Sequence, residues 1–189
     1  DIKNSVKNAD YVILSVPVSS LHLVVEQIRE KVPNRALVMD TCAVKEIPMK
    51  IMSQLKCNVM GTHPQFRKVH SVQGKSIILA GKMDPYFSRI YKKLGLRIIH
   101  MRAKEHDKIM AVVGIATFVG LSLIRLLTPY ERQILNKYAG TSSKNLMRLL
   151  ESMEKNSLTT YEDIQKYNSY SKKLRERFIK ILVNFNRTL

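Results

Sequence analysis

The sequence predicts an α/β chain: a mainly parallel sheet covered by helices, then a region built of helices alone. Three observations carry that reading. Short, continuous apolar runs alternate with stretches whose apolar residues recur at helical spacing, as strands buried on both faces do between amphipathic crossovers. Near Lys104 the strand-like runs stop, and helical patterns continue to Leu189. Beyond that point the segment from Ile109 to Ile124 carries no charge over 16 residues. The chain is therefore divided into residues 1–103, a sheet domain, and residues 104–189, a helical domain.

Taken in order, Tyr11-Val12-Ile13-Leu14-Ser15-Val16-Pro17 is an apolar run closed by proline, the first buried strand. Ser19 or Ser20 is placed to cap the next helix, whose Leu21, Val24, Val25 and Ile28 share one face. Pro33-Asn34-Arg35 breaks that helix, and Ala36 to Met39 is a second buried strand running into Asp40-Thr41-Cys42. A helix begins near Glu46, with Pro48 in its first turn, and reaches about Leu55. Asn58 to Met60 is a third strand, delivering the loop Gly61-Thr62-His63-Pro64-Gln65-Phe66. Ser76 to Ala80 and Arg97 to Met101 are the fourth and fifth strands, separated by a helix from Phe87 to Leu94. The order β-α-β-α-β-β-α-β suits a mainly parallel sheet with right-handed crossovers.

In the second part, the uncharged run is short for a membrane span, which needs roughly 20 apolar residues. It also holds Gly114, Thr117, Gly120 and Ser122. A helix apolar all round is buried on every side, and in so small a helical region that burial calls for a second subunit. A homodimer through the helix at 104–127 is expected. Thr128-Pro129 restarts a helix over 130–138, ended by Ala139-Gly140. Lys144 to Lys155 is helical, with Leu146, Leu149, Leu150 and Met153 on one face. Tyr161 to Gln165 opens a further turn or helix, and the last helix, Tyr170 to Asn184, turns Leu174, Phe178, Ile181 and Leu182 inward.

At 189 residues, 45% of them hydrophobic and 25% charged, the chain can bury a real core. Cys42 and Cys57 form neither a disulfide framework nor a Cys-x-x-Cys metal pair, and no signal peptide is evident. A cytoplasmic protein without a metal site is the expectation. The net charge of +17 attracts anions. Its basic residues are spread out, aromatics are only 7%, and zinc-finger spacing and RNP-like aromatic pairs are lacking. Nucleic acid is thus a poor candidate, and a small dianion or a pyrophosphate suits the charge as well.

The clearest chemistry lies in Gly61-Thr62-His63-Pro64-Gln65-Phe66. A histidine at a strand end lies where α/β enzymes open their clefts, and a neutral imidazole is a base suited to working pH. An incidental histidine in a surface turn is the competing reading. Asp40 reads as a cap or an Asx turn. Cys42 has no local partner that would make it a nucleophile. His22, His70 and His100 read as surface or packing residues.

The order of landmarks resembles the prephenate dehydrogenase family, NAD(P)-dependent enzymes of tyrosine biosynthesis. Ala9 to Pro17 is similar to the family's strand ending in Val-Pro beside the cofactor. Asp40-Thr41-Cys42-Ala43-Val44-Lys45 resembles its Asp-x-x-Ser-Val-Lys loop, and Gly61 to Phe66 its Gly-x-His-Pro-Met-Phe loop. Glu105-His106-Asp107-Lys108-Ile109-Met110-Ala111 resembles the Glu-His-Asp-x-x-Met-Ala that opens its helical domain. Tyr161-Glu162-Asp163-Ile164-Gln165, with Asn168, is similar to its Leu-Tyr-x-x-Ile-Gln segment. The resemblance covers nearly the whole chain from Ala9.

This resemblance implies a partial Rossmann-type domain followed by an all-α dimerisation domain. It implies oxidative decarboxylation of a small acid, prephenate or arogenate, with NAD or NADP. A base takes the ring hydroxyl proton while hydride leaves the same carbon, and loss of carbon dioxide makes the ring aromatic. The resemblance assigns the base to His63 and cofactor contacts to Ser15, Val16, Pro17 and Asp40. It assigns substrate contacts to Thr41, Ala43, Gly61, His106 and Arg148.

The sequence also departs from the family pattern. The family's Gly-x-Gly-x-x-Gly loop is not in this sequence, and its first strand matches one the family places later. A missing N-terminal segment is expected, with a naturally shortened protein as the alternative. Ala43 stands in place of the loop serine, so Thr41 is the candidate to supply a hydroxyl. Phe118 or Thr117 falls where a histidine often follows Glu-His-Asp. Arg148 is the nearest match to the substrate-binding arginine. Arg67 and Lys68 read as a solvated loop or a carboxylate contact. Two further readings stay open: another β-hydroxyacid-type dehydrogenase, and a non-catalytic dimeric module binding a polyanion or a protein.

Overall fold

A computed structural model describes residues 1–66, 69–155 and 158–189. Arg67 and Lys68 thus lie outside the described residues. The chain divides into two compact units, Asp1–Met110 and Ala111–Leu189.

In the first unit five strands stand in the order β1-β2-β3-β4-β5. They are β1 (Tyr11–Leu14), β2 (Leu37–Asp40), β3 (Asn58–Pro64), β4 (Ser76–Gly81) and β5 (Arg97–Met101). β1, β2 and β3 run parallel, β4 is antiparallel to β3, and β5 is parallel to β4. This is the expected mostly parallel, Rossmann-like sheet. The one antiparallel pair falls where the sequence offers no crossover helix to carry the chain back. Helices α1 (Ile2–Val6), α2 (Val18–Ile28), α3 (Glu46–Met52), α4 (Pro85–Lys93) and most of α5 (Ala103–Val113) complete the unit.

One face of the sheet buries Leu37, Met39, Met60, Ile77 and Leu79, with Phe87 and Tyr91 of α4 packed against them. Asp84 caps α4, accepting from the N–H groups of Tyr86 and Phe87 at 2.9 and 3.0 Å. The opposite face lies under α3, whose Met49 reaches Gly61 and Gly81. α2 packs beside α3, and its Leu21, Val25 and Ile28 are buried as their spacing predicts. Each such side chain is worth about 1.5–3 kcal/mol of burial.

Several local expectations are corrected. β1 stops at Leu14, where its pairing with Asp40 of β2 ends, so Ser15 to Pro17 form a turn. α2 starts at Val18 with Pro17 as its N-cap and without a side-chain cap, so neither Ser19 nor Ser20 caps it. The fixed φ of proline already suits a helix start. α1 is too short for its periodicity to be read. β3 runs on through His63 and Pro64, which pair with Ile78 and Ile77 of β4. Glycine and proline mimic a loop locally, but the antiparallel neighbour keeps the segment in the sheet.

The second unit contains α6 (Ile115–Leu126), α7 (Pro129–Tyr138), α8 (Thr141–Glu154), α9 (Leu158–Tyr167) and α10 (Ser171–Asn186). The uncharged run is two helices meeting at Gly114, whose carbonyl accepts from the Gln165 amide at 2.7 Å. Burial on every side is not seen within the chain. In α6 only Gly120 and Leu121 are buried, and Val112, Val113 and Leu126 are exposed. α8 buries Met147, Leu150 and Met153, whereas Leu146 and Leu149 face outward. In α10, Leu174 and Phe178 are half-buried but Ile181 and Leu182 are exposed. A capping box between Thr128 and Glu131 starts α7. Among the described residues no single helix is long and apolar enough to cross a membrane.

Candidate active site

The parallel strands β1, β2 and β3 present their carboxyl ends side by side, the edge at which open α/β sheets bind ligands. Off β1, Ser15 is exposed, and its oxygen accepts from the Thr41 hydroxyl at 3.3 Å. At the end of β2 both Asp40 and Lys45 are fully buried. The Lys45 ammonium is ion-paired with Asp40 Oδ2, which also accepts from the Cys42 N–H at 2.9 Å. Gly61 makes the room, since a Cβ there would lie 2.8 Å from Lys45 Cδ.

His63, half-buried on β3, meets His106 of α5, with His63 Nδ1 and His106 Nε2 2.9 Å apart. His106 is fully buried, and its Nδ1 lies 2.7 Å from Asp107 Oδ1. Asp107 also accepts from two backbone groups, the Lys45 N–H at 2.7 Å and the Glu46 N–H at 2.9 Å. It thereby fixes the start of α3, and with it the Lys45 loop. The exposed Gln65 amide reaches His63 Nδ1 at 2.8 Å. Burial first, and then the neighbouring His106 and Lys45, push His63 down to about 3. Its ring is neutral at working pH. Cys42 is pushed up to about 12, by burial first and Asp40 second, so it stays a thiol and is no nucleophile.

The residues singled out from sequence fall into three groups. His63, His106, Gly61 and Asp40 lie together around the Lys45 loop. Ser15, Val16, Pro17, Thr41 and Ala43 occupy the two turns beyond β1 and β2, with Ser15 and Pro17 exposed and Val16, Thr41 and Ala43 half-buried. Arg148 belongs to the second unit, exposed on α8, with its guanidinium 3.4 Å from Asn145 Oδ1. Sequence reasoning missed Lys45, Gln65 and Asp107 as partners at the site. All three stand inside the quoted motifs, but nothing in the motifs says what they touch. A hollow of about 560 Å³ opens at the opposite strand ends, beside Tyr11, Arg35 and Asn58. It lies away from this chemistry.

Comparison with known proteins places this geometry. Residues 1–74 match the family model described as prephenate dehydrogenase, nucleotide-binding domain. A probable arogenate/prephenate dehydrogenase of Methanocaldococcus jannaschii is 29% identical over 187 residues, covering 92% of this chain and 42% of that protein. The cyclohexadienyl dehydrogenase of Zymomonas mobilis is 22% identical over 173 residues, covering 80% of this chain and 59% of that one. The crystal structure of prephenate dehydrogenase from Aquifex aeolicus, in complex with hydroxyphenyl propionate and NAD+, shares the fold. It matches with a TM-score of 0.79 at 23% identity, covering 99% of this chain and 71% of that one.

The chain shares its fold, a Rossmann-like sheet followed by helices, with that dehydrogenase structure. Within that fold, residues 1–74 are similar to the nucleotide-binding domain of prephenate dehydrogenases. The chain spans 42% and 59% of the lengths of the two curated relatives.

Proposed function

We propose that the protein takes part in NAD(P)-dependent oxidative decarboxylation of prephenate or arogenate, with His63 as the base. The observation that carries this reading is the state of the His63 ring. It is neutral and half-buried at a strand end, with Nδ1 engaged by His106 and Gln65. Nε2 has no hydrogen-bond partner among the described residues, so its lone pair can take a proton. A neutral imidazole has the lone pair that the step needs.

The cofactor, when bound, supplies the hydride acceptor. The residues of this chain that fit its nicotinamide side are Ser15, Val16 and Pro17, a turn off β1 tied to Thr41. That turn has no glycine, and the first glycine of the chain is Gly61, so a pyrophosphate cradle is not built from it. His63 Nε2 receives the ring hydroxyl proton, and Thr41 offers the hydroxyl that Ala43 lacks. Asp40 acts through Lys45, holding the loop between β2 and α3. The assignment of Arg148 to a substrate carboxylate rests on the family resemblance alone. Two free cysteines suit a reducing, cytoplasmic setting.

A homodimer is part of the same reading, supported by exposed Val112, Val113, Ile181, Leu182 and Phe185 of the second unit. Sedimentation of a monomer at working concentration removes that part. For the activity, the protein expressed from its complete reading frame is given prephenate and arogenate with each cofactor in turn. Reduced cofactor is expected with at least one of the acids. Folded protein that is inert with both acids and both cofactors overturns the proposal.

A further inference from the structure

We infer that Asp107 and His106 decide which nitrogen of His63 carries its proton, leaving Nε2 as the open lone pair. This rests on the reading of His63 as the base, but it is derived and tested without activity.

Asp107 accepts from the backbone N–H groups of Lys45 and Glu46, at 2.7 and 2.9 Å. Both carboxylate oxygens thus face N–H donors and act as acceptors. The ring nitrogen facing it, His106 Nδ1 at 2.7 Å, therefore bears a hydrogen and donates. On a neutral His106, Nε2 is then a lone pair, and it faces His63 Nδ1 at 2.9 Å. Two lone pairs at that separation repel, so His63 Nδ1 carries the hydrogen and donates to His106. His63 Nε2 is left unprotonated.

Two groups could oppose this order. Gln65 approaches the same His63 Nδ1 at 2.8 Å, and its NH2 donating there would demand the opposite tautomer. Gln65 is exposed, however, and rotating its amide to present the oxygen costs little beside water. His106 and Asp107 are buried and have no such alternative. The second opposing arrangement puts two protons on His106. In that arrangement His106 Nε2–H would donate to His63 Nδ1 and His63 would carry its proton on Nε2, which the wild-type spectrum below distinguishes.

His106 is therefore a positioning residue, since both of its ring nitrogens are used inside the protein. The relay also stabilises the charge that arrives. As Nε2 of His63 takes a proton, the Nδ1–H bond toward His106 strengthens, with the Asp107 carboxylate as counter-charge at the far end. That offsets the cost of creating an imidazolium in a half-dry site.

The test is the histidine tautomer read by long-range 1H–15N correlation on this chain near neutral pH, with His63 assigned by its loss in His63→Asn. The Nδ1–H form is expected in the wild type. In His106→Leu only the freely rotating Gln65 amide remains at Nδ1, and loss of the pure Nδ1–H form, to a mixture or to Nε2–H, is expected. Gln65→Leu should leave the Nδ1–H form in place. A wild-type His63 in the Nε2–H form, or in a mixture, overturns the inference, as does a His106→Leu spectrum with unchanged tautomer. Should His106→Leu fail to fold, the wild-type and Gln65→Leu spectra decide. Inactivity of a protein showing the Nδ1–H form would sink the proposed reaction and leave this ordering of protons standing.

Discussion

In the first unit Asp40, Lys45, Thr62, His106 and Asp107 are all buried, and their contacts tie β2, β3, α3 and α5 together. The second unit's buried polar side chains, among the described residues, are Gln165, Asn168 and Ser171 at α9 and the start of α10. Its helices leave Val112, Leu126, Ile181 and Phe185 in the open. The first unit is thus ordered by polar groups that have few alternative partners, which fixes side-chain geometry where chemistry needs it. The second is held by methionine and leucine packing that tolerates variation and keeps apolar surface available.

Breaking the polar side of this contrast should give the largest loss. Lys45→Met leaves Asp40 as a buried, unpaired anion, and should cost roughly 3–5 kcal/mol in denaturant unfolding. The double variant Lys45→Met/Asp40→Leu should recover much of that loss. A single variant as stable as the wild type would show that the pair does not order the loop.

Acid should act next, and selectively on the first unit. The folded chain holds His63 at about 3, below the ordinary 6.5, so between those values the unfolded chain binds a proton that the folded chain refuses. This contribution is intact above pH 6.5 and is lost as pH falls toward 3. Melting temperatures across that window should drop more for the wild type than for His63→Gln. Equal slopes would contradict the burial of a neutral ring.

The packing side of the contrast is sharpened at Gly120. A Cβ there would clash with Met153 Sδ, at the approach of α6 and α8. Because methionine can move aside, Gly120→Ala should cost only about 1–3 kcal/mol. Gly120→Ala/Met153→Ala should relieve the clash while opening a cavity, which a double-mutant cycle separates.

The parts of the fold that the sequence made legible are those set by local pattern. Leu21, Val25 and Ile28, and the runs at Leu37 to Asp40 and Ile77 to Ala80, are buried as their patterns require. His63 was legible as a candidate because its flanking residues repeat a motif. Its place inside β3 was not, since the pairing partners Ile77 and Ile78 lie beyond an intervening turn. In α8, Leu146, Met147, Leu149 and Leu150 offer two overlapping stripes, and only packing selects the one through Met147, Leu150 and Met153. The contacts that build the site are the least local of all. His63 and His106 are 43 positions apart, and Lys45 and Asp107 are 62 apart, so composition and period carry no trace of them.

The central claim is that His63 takes the substrate's proton. Its most direct test is turnover of prephenate or arogenate by the protein from its complete reading frame, wild type against His63→Asn, with both checked for folding. A fall of roughly 10²–10⁴-fold in kcat is predicted, as for loss of a general base. A folded His63→Asn protein that turns over within a few-fold of the wild type would contradict the account.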